Sequence, residues 1–341
     1  MNQLTFVFPG QGAQYVGMGK DFLRQYEIVR ETFQEAEEAL QLPLIRYCLE
    51  GPDDLLNQTE ITQPAILTFS TAMLRLVKKE GFSSQYTAGL SLGEYSALVN
   101  AGSITFHDAV KLVRLRGKHM QEAVPHGKGG MAAILGLKRE HLDDCLQEGR
   151  KLGFVSVANF NCPGQIVLSG EVDAVRKAMD ACQQNGAKKV VLMPVSAPFH
   201  TEMLTPAGEK LSEALEQIEL KNPDQVFISN VSAAPVTEAS EIARSLVKQV
   251  SCSVLWEDSL LYMMNQGCQT FVEIGPSNSL SGFVKRTAKE YRKPFKAHHI
   301  ETVEQLLSVM QTLEQEGYYG SSEQECADHR RIAGDRTRNC S

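Results

Sequence analysis

Apolar and polar positions fall along this chain in blocks that read as strands and helices in turn. Leu4-Thr5-Phe6-Val7-Phe8 is a short apolar run closed by Pro9-Gly10-Gln11-Gly12, which predicts a buried strand entering a Gly-rich turn. Helical spacing runs from about Gly19 to Leu40. It returns from Pro64 to Lys79, with Ile66, Leu67, Phe69, Met73, Leu74 and Val77 as the apolar positions. Thr87-Ala88-Gly89-Leu90-Ser91-Leu92-Gly93 then leads to a helical Glu94 to Ala101, so strand, sharp Gly-flanked turn and helix is the predicted order. A further helix spans Phe106 to about Ala123.

The stretch from Gly130 to Ala197 has an order of its own. Strands are predicted at Met131 to Leu137, Phe154 to Ala158, Gln165 to Ser169 and Lys189 to Val195, with helices at Arg139 to Lys151 and Asp173 to Gln184. The turn between the two middle strands is placed at Asn161-Cys162-Pro163-Gly164. That β-α-β-β-α-β order is the ferredoxin-like split motif. Later segments read as helix (Ala207 to Ile218), strand (Val226 to Asn230), helix (Glu241 to Gln249), helix (Leu255 to Gln266) and strand (Thr270 to Ile274), followed by a last helical region.

Strands alternating with helices imply a mostly parallel sheet covered on both faces. The expected fold is therefore α/β: an α/β-hydrolase-like large subdomain over residues 1–127 and 198–316, with a small ferredoxin-like subdomain inserted at 128–197. Beyond Glu316 the periodicity fails. Residues 317–341 are polar and rich in Arg, Glu, Asp and Ser, and are expected to be a disordered tail or an appended extension.

Composition narrows the setting. A 341-residue chain that is 43% hydrophobic and 22% charged is an ordinary globular protein with room for a sizeable core. Its net charge of −7 argues against nucleic acid as a partner, because phosphate recognition is usually driven by a basic face. Eight scattered cysteines without a C-x-x-C pair read as reduced thiols in the cytoplasm. The first residues lack a basic and then apolar leader, and no apolar run approaches the roughly 20 residues that span a bilayer, so no membrane association is expected.

Gly89-Leu90-Ser91-Leu92-Gly93 matches G-x-S-x-G and is the only match in the chain. Between a strand and a helix, this pattern holds a serine on a strained elbow, its hydroxyl projecting from the turn. The amide after it lies at a helix N-terminus, where free N–H groups stabilise an oxyanion. The alternative for Ser91 is a helix N-cap. A serine nucleophile needs a base, and His200, in Ser196-Ala197-Pro198-Phe199-His200, sits where a strand becomes a loop. Catalytic groups are often mounted there, and an imidazole takes and returns a proton near neutral pH. A histidine that merely opens a loop is the competing account. Gly10-Gln11-Gly12 follows a strand as an oxyanion-hole loop would, or as a tight turn would, with the Gln11 amide placed to pair with that of Leu92. Arg116, on a helix among Val110, Leu112 and Val113, would give a bidentate pair to a free carboxylate if it faces the pocket. A surface arginine is the other reading and suits Arg114 better. The sequence shows no metal-ligand cluster and no phosphate-binding loop, and the chemistry calls for no bound cofactor.

Taken together, these residues resemble the malonyl-CoA:acyl carrier protein transacylases of fatty-acid and polyketide synthesis, over about residues 3–310. Six motifs in order carry the resemblance: Phe8-Pro9-Gly10-Gln11-Gly12; Gly89 to Glu94; Arg116-Gly117 with Met120-Gln121; Asn159-x-Asn161-x-Pro163-Gly164-Gln165; Ala197-Pro198-Phe199-His200; and Phe271-Val272-Glu273-Ile274-Gly275-Pro276. The resemblance implies a Ser91–His200 dyad with His200 oriented by a main-chain carbonyl, Gln249 occupying the corresponding site. It implies an oxyanion hole from the Gln11 and Leu92 amides, and a malonyl carboxylate held by Arg116. Phe199, Gln249, Asn161 and Leu90 join Arg116 around the substrate. Phe199 resembles the malonyl-selecting form of its loop, whereas Leu90 departs from the histidine that many relatives place before the serine. The partners implied are malonyl-CoA and a phosphopantetheinylated acyl carrier protein, with the enzyme expected to act as a monomer. Two other activities compete: a thioesterase-like hydrolase that clears stalled carriers, for which a buried cation at Arg116 has no use, and a non-catalytic carrier-docking protein, for which Ser91 and His200 have none.

Overall fold

Period-two alternation in the first strand, β1 (Gln3–Phe8), sets the two faces of the main sheet. In the computed structural model, which describes residues 3–195 and 197–318, Leu4, Phe6 and Phe8 join one buried cluster and Val7 joins another on the opposite face. The chain continues through α1 (Lys20–Gln25), α2 (Glu27–Leu40), α3 (Leu44–Glu50), α4 (Asp53–Leu56) and α5 (Thr59–Lys79) to β2 (Tyr86–Gly89), α6 (Gly93–Asn100) and α7 (Phe106–Glu122). Next come β3 (Gly129–Leu135), α8 (Leu142–Arg150), β4 (Val155–Cys162), β5 (Gln165–Glu171), α9 (Val172–Gln184) and β6 (Lys189–Leu192). The remainder holds α10 (Thr205–Leu215), β7 (Val226–Ile228), β8 (Pro235–Val236), α11 (Ala239–Gln249), β9 (Val254–Leu255), α12 (Trp256–Asn265), β10 (Cys268–Ile274), α13 (Ser279–Glu290), β11 (Lys296–Ile300) and α14 (Val303–Gln315).

Two sheets result. The larger has the order β11-β10-β1-β2-β7-β8 and is parallel except for β8, which runs antiparallel to β7. One face is covered by α2, α5 and α7 through Phe33, Ile66, Phe69, Met73, Val110 and Val113, and the other by α12 and α13 through Trp256, Leu260, Met263, Leu280 and Val284. Covering on both faces is what a parallel sheet requires. The smaller sheet has the order β6-β3-β5-β4-β9, and its own core lies against α8 and α9 at Leu142, Cys145, Leu146, Val175, Ala178 and Cys182. Its other face turns Met131, Ala158 and Val167 toward the main cluster. The fold is the expected α/β class with a ferredoxin-like second sheet.

The structure differs from the periodicity at several points, each with a local cause. The expected helix from Gly19 to Leu40 breaks at Tyr26, which is extended (φ −119°, ψ 123°), caps α1 with its N–H on Phe22 O and starts α2. A one-residue break leaves the apolar spacing almost unchanged. The helix expected from Pro64 begins a turn earlier at Thr59, with Pro64 inside it. The start of α5 packs closely on α7, where a Cβ on Gly117 would lie 2.5 Å from Thr59 O. Strand β4 runs on to Cys162, with register shifts between Val157 and Asn159 and between Phe160 and Cys162, so Asn161 is a strand residue and not part of a turn. Strand β6 ends at Leu192, short of Val195. Leu255, read as the start of a helix, instead belongs with Val254 to a fifth strand that pairs parallel with β4 at Asn159 and Phe160. Of the tail expected over 317–341, only Gly317 and Tyr318 are among the described residues. No helix among those residues is long and apolar enough to cross a membrane.

Candidate active site

Ser91 lies between the end of β2 and the start of α6 with φ 54°, in the left-handed region that L-residues other than glycine seldom adopt. Such a conformation costs about 1–3 kcal/mol and persists only where its surroundings over-determine it. Here they do. Leu90 N donates to Phe8 O at 3.0 Å, Gly93 N to Leu90 O at 2.9 Å and Glu94 N to Ser91 O at 3.1 Å. Ser91 N donates to Asn230 Oδ1 at 2.6 Å, while Asn230 Nδ2 donates to Gly89 O at 2.7 Å. The flanking glycines are there for space: a Cβ on Gly89 would sit 1.9 Å from Gly93 C, and one on Gly93 would sit 2.1 Å from Phe8 O. The elbow and the loop after β1 are thereby pressed together.

His200 reaches this serine from 109 positions away, with Nε2 at 2.7 Å from Ser91 Oγ. Its backbone is also left-handed (φ 61°). The ring's other nitrogen, Nδ1, is 2.8 Å from Gln249 O. A carbonyl only accepts, so Nδ1 carries the proton and Nε2 is left with the lone pair that faces the hydroxyl. Burial, and then the nearby Arg116 cation, hold the imidazole down to about 4, so the ring is neutral at physiological pH and free to take a proton.

Arg116, 1% exposed, lies at the floor of the same site. Nη1 donates to Gln63 Oε1 at 2.9 Å, and Nη2 donates to Gln249 Oε1 at 2.7 Å and to Ser91 Oγ at 3.1 Å. Nε is buried without a partner, and among the described residues no carboxylate forms an ion pair with the guanidinium. An arginine so placed is a standing site for a carboxylate. Arg114, by contrast, donates to Leu40 O on the far side of its helix and is away from the site.

Above these groups opens a cavity of about 750 Å³ lined by Gln11, Leu90, Ser91, Arg116, Asn161, Phe199 and His200 among others. The loop of Gln11 lies close to the elbow, where a Cβ on Gly10 would meet Leu90 O at 2.5 Å. Among the described residues the amides of Gln11 and Leu92 have no hydrogen-bond partner, as donors reserved for a transient oxyanion would. Asn161 is 7% exposed with Oδ1 unpartnered, and Phe199 is 8% exposed beside the base. Leu90 lines the wall without a polar role. Gln249 differs from the others: it does not line the cavity but lies behind it, touching His200, Arg116 and Ser91 at once.

Three residues of the site escape a reading of the sequence. Gln63 supports Arg116, Asn230 supports the elbow, and Glu94 lies fully buried beneath both, accepting from Asn230 N at 2.5 Å and from Gln249 Nε2. Burial pushes the Glu94 carboxyl up to about 8 against the pull of these donors and of Arg116. Glu94 ends the G-x-S-x-G-E run and carried a signal in that adjacency; Gln63 and Asn230 had none.

A family model described as acyl transferase domain matches residues 5–317. The malonyl CoA-acyl carrier protein transacylase of Bacillus subtilis (strain 168) is 44% identical over 320 residues, which cover 93% of this chain and 99% of that protein. The protein of the same description from Escherichia coli (strain K12) is 45% identical over 287 residues, 84% of this chain and 93% of the other. Among solved structures, an acyl carrier protein S-malonyltransferase from Vibrio cholerae aligns with a TM-score of 0.87 at 40% identity, covering 90% of this chain and 100% of that one. A structure of a type II PKS acyl-carrier protein in complex with its malonyl-transacylase aligns with a TM-score of 0.88 at 39% identity, covering 91% of this chain and 100% of that one.

Proposed function

This chain belongs to the acyl transferase domain family, and on that premise we propose that it moves a malonyl group from malonyl-CoA, by way of an ester on Ser91, to the phosphopantetheine thiol of an acyl carrier protein. The product supplies chain extension in fatty-acid or polyketide synthesis, and we place the reaction in the cytoplasm, consistent with the six free cysteines among the described residues.

His200 Nε2 takes the proton of Ser91 Oγ as that oxygen attacks the thioester carbonyl. The Gln11 and Leu92 amides receive the charge that develops on the carbonyl oxygen. The C–S bond then breaks, and the coenzyme A thiol leaves with the proton returned by the imidazolium. In the second half, the carrier's thiol gives its proton to His200 and attacks the ester. Ser91 Oγ departs and is reprotonated by the same ring. Arg116 holds the free carboxylate of the acyl group throughout, which favours malonyl over acetyl.

The observation that carries this reading is the buried guanidinium of Arg116, within 3.1 Å of the Ser91 hydroxyl and without an acidic partner among the described residues. Incubation with malonyl-CoA followed by intact-mass measurement tests it. One malonyl adduct is expected, absent from Ser91→Ala and discharged by phosphopantetheinylated carrier. Rapid release of free malonate without carrier would make the enzyme a hydrolase, and no adduct at all would leave a docking protein.

A further inference from the structure

Glu94 touches neither the cavity nor the Ser91 hydroxyl, yet its two oxygens hold both of the residues on which the site is hung, Asn230 by its main chain and Gln249 by its side chain. One accepts from Asn230 N, and Asn230 in turn takes Ser91 N on Oδ1 and gives Nδ2 to Gly89 O. The other accepts from Gln249 Nε2, which also donates to Ser91 O at 2.8 Å, while Gln249 Oε1 accepts from Arg116 Nη2. The Gln249 amide thus stands between Glu94 and Ser91 O on one side and a guanidinium on the other. A carbonyl only accepts and a guanidinium only donates, so the carboxamide fits between them one way round: N–H₂ toward Ser91 O and Glu94, oxygen toward Arg116.

We propose that Glu94 is a positioning residue for selection of the acyl group: by holding Gln249 Nε2, it keeps Gln249 Oε1 seated against Arg116 and so aims the guanidinium at the substrate's free carboxylate. This rests on the reading of Arg116 given above. Glu94→Gln keeps the shape of the side chain but brings an N–H₂ against one of two donors, Asn230 N or Gln249 Nε2. Asn230 N is main chain just past β7 and its residue is pinned at both ends of its side chain, so the clash falls on Gln249 Nε2. Ser91 O keeps that amide from turning over, so the Gln249 side chain is displaced and the guanidinium loses an acceptor inside a closed floor.

The test is the ratio of malonyl to acetyl loading on Ser91, read from the same preparation with malonyl-CoA and acetyl-CoA. Glu94→Gln is expected to lower that ratio about tenfold, the size of one lost charge-assisted hydrogen bond, with acetyl loading within a few-fold of wild type. In an Arg116→Ala background, adding Glu94→Gln should change the ratio no further. A ratio untouched by Glu94→Gln, or malonyl and acetyl loading lowered alike, overturns the proposal. If Arg116→Ala alone leaves the ratio unchanged, it is the reading of Arg116 that falls, and the two failures are told apart. Should Glu94→Gln not fold, Gln249→Met removes the arm through which Glu94 acts; it must lower the same ratio, and an unchanged ratio there overturns the proposal equally.

Discussion

The cavity has a floor and a roof of opposite character. Its floor, built on the parallel sheet, is a continuous polar lattice in which Ser91, His200, Arg116, Gln249, Glu94, Asn230 and Gln63 are buried and tied to one another. Its roof, contributed by the smaller sheet and by α13, is apolar at Met131, Val167, Leu280 and Phe283, with the Asn161 oxygen unpartnered among them. The floor arrives at the reaction already organised, as charge stabilisation demands. A roof of this kind offers area and a polar foothold to whatever arm delivers the acyl group, a binding task that tolerates change better than chemistry does.

That contrast can be broken from either side. Replacing His200 by alanine removes the imidazole that faces Ser91 and is expected to slow loading from malonyl-CoA by about 10³-fold with little change in malonyl-CoA affinity, measured by single-turnover mixing. A loss of only a few-fold would mean that Ser91 is activated by something else. A gentler probe is pH. Because His200 is held near 4 by burial and by Arg116, its lone pair survives acidification well below the usual histidine range. The rate constant kcat/KM for malonyl-CoA is therefore expected to fall only as pH drops through about 4, and an acid limb near 6.5 would show the ring to be solvated. The roof predicts the smallest effect. Asn161→Ala should raise KM for pantetheine thioesters by about three- to tenfold, the worth of one neutral hydrogen bond, and leave kcat alone. A fall in kcat there instead would place Asn161 with the floor.

The two halves also differ in how far they could be read before folding. The elbow is local: Gly89, Ser91 and Gly93 lie within five residues, and their spacing alone predicts the turn, the exposed hydroxyl and the helix after it. His200 was legible from its place at a strand end, and Arg116 from its apolar neighbours. Asn230 was not, because its role exists only once residues 139 positions apart meet at Ser91. Glu94 was legible only as the last residue of the elbow motif and not by its role, because its two contacts lie 136 and 155 positions down the chain. Gln249 was read both as the carbonyl that orients His200, where its oxygen lies 2.8 Å from Nδ1, and as a substrate-binding residue, whereas its side chain lies behind the cavity and does not line it. In the roof, the two-residue strand β9 was invisible because the helical pattern of Trp256 to Asn265 begins directly after it. That strand belongs to the segment following Gln249, so the chain passes from the support of the base to the edge of the roof within six residues.

The left-handed backbone at Ser91 bears on which nucleophiles this scaffold accepts. At φ 54° a branched Cβ would crowd the flanking peptide groups, so threonine is shut out although its hydroxyl is as competent as serine's. Cysteine has the same unbranched outline and fits the bend unchanged. Interchange between oxygen and sulfur is open at this position, and interchange between the two alcohols is closed by geometry before reactivity is ever consulted.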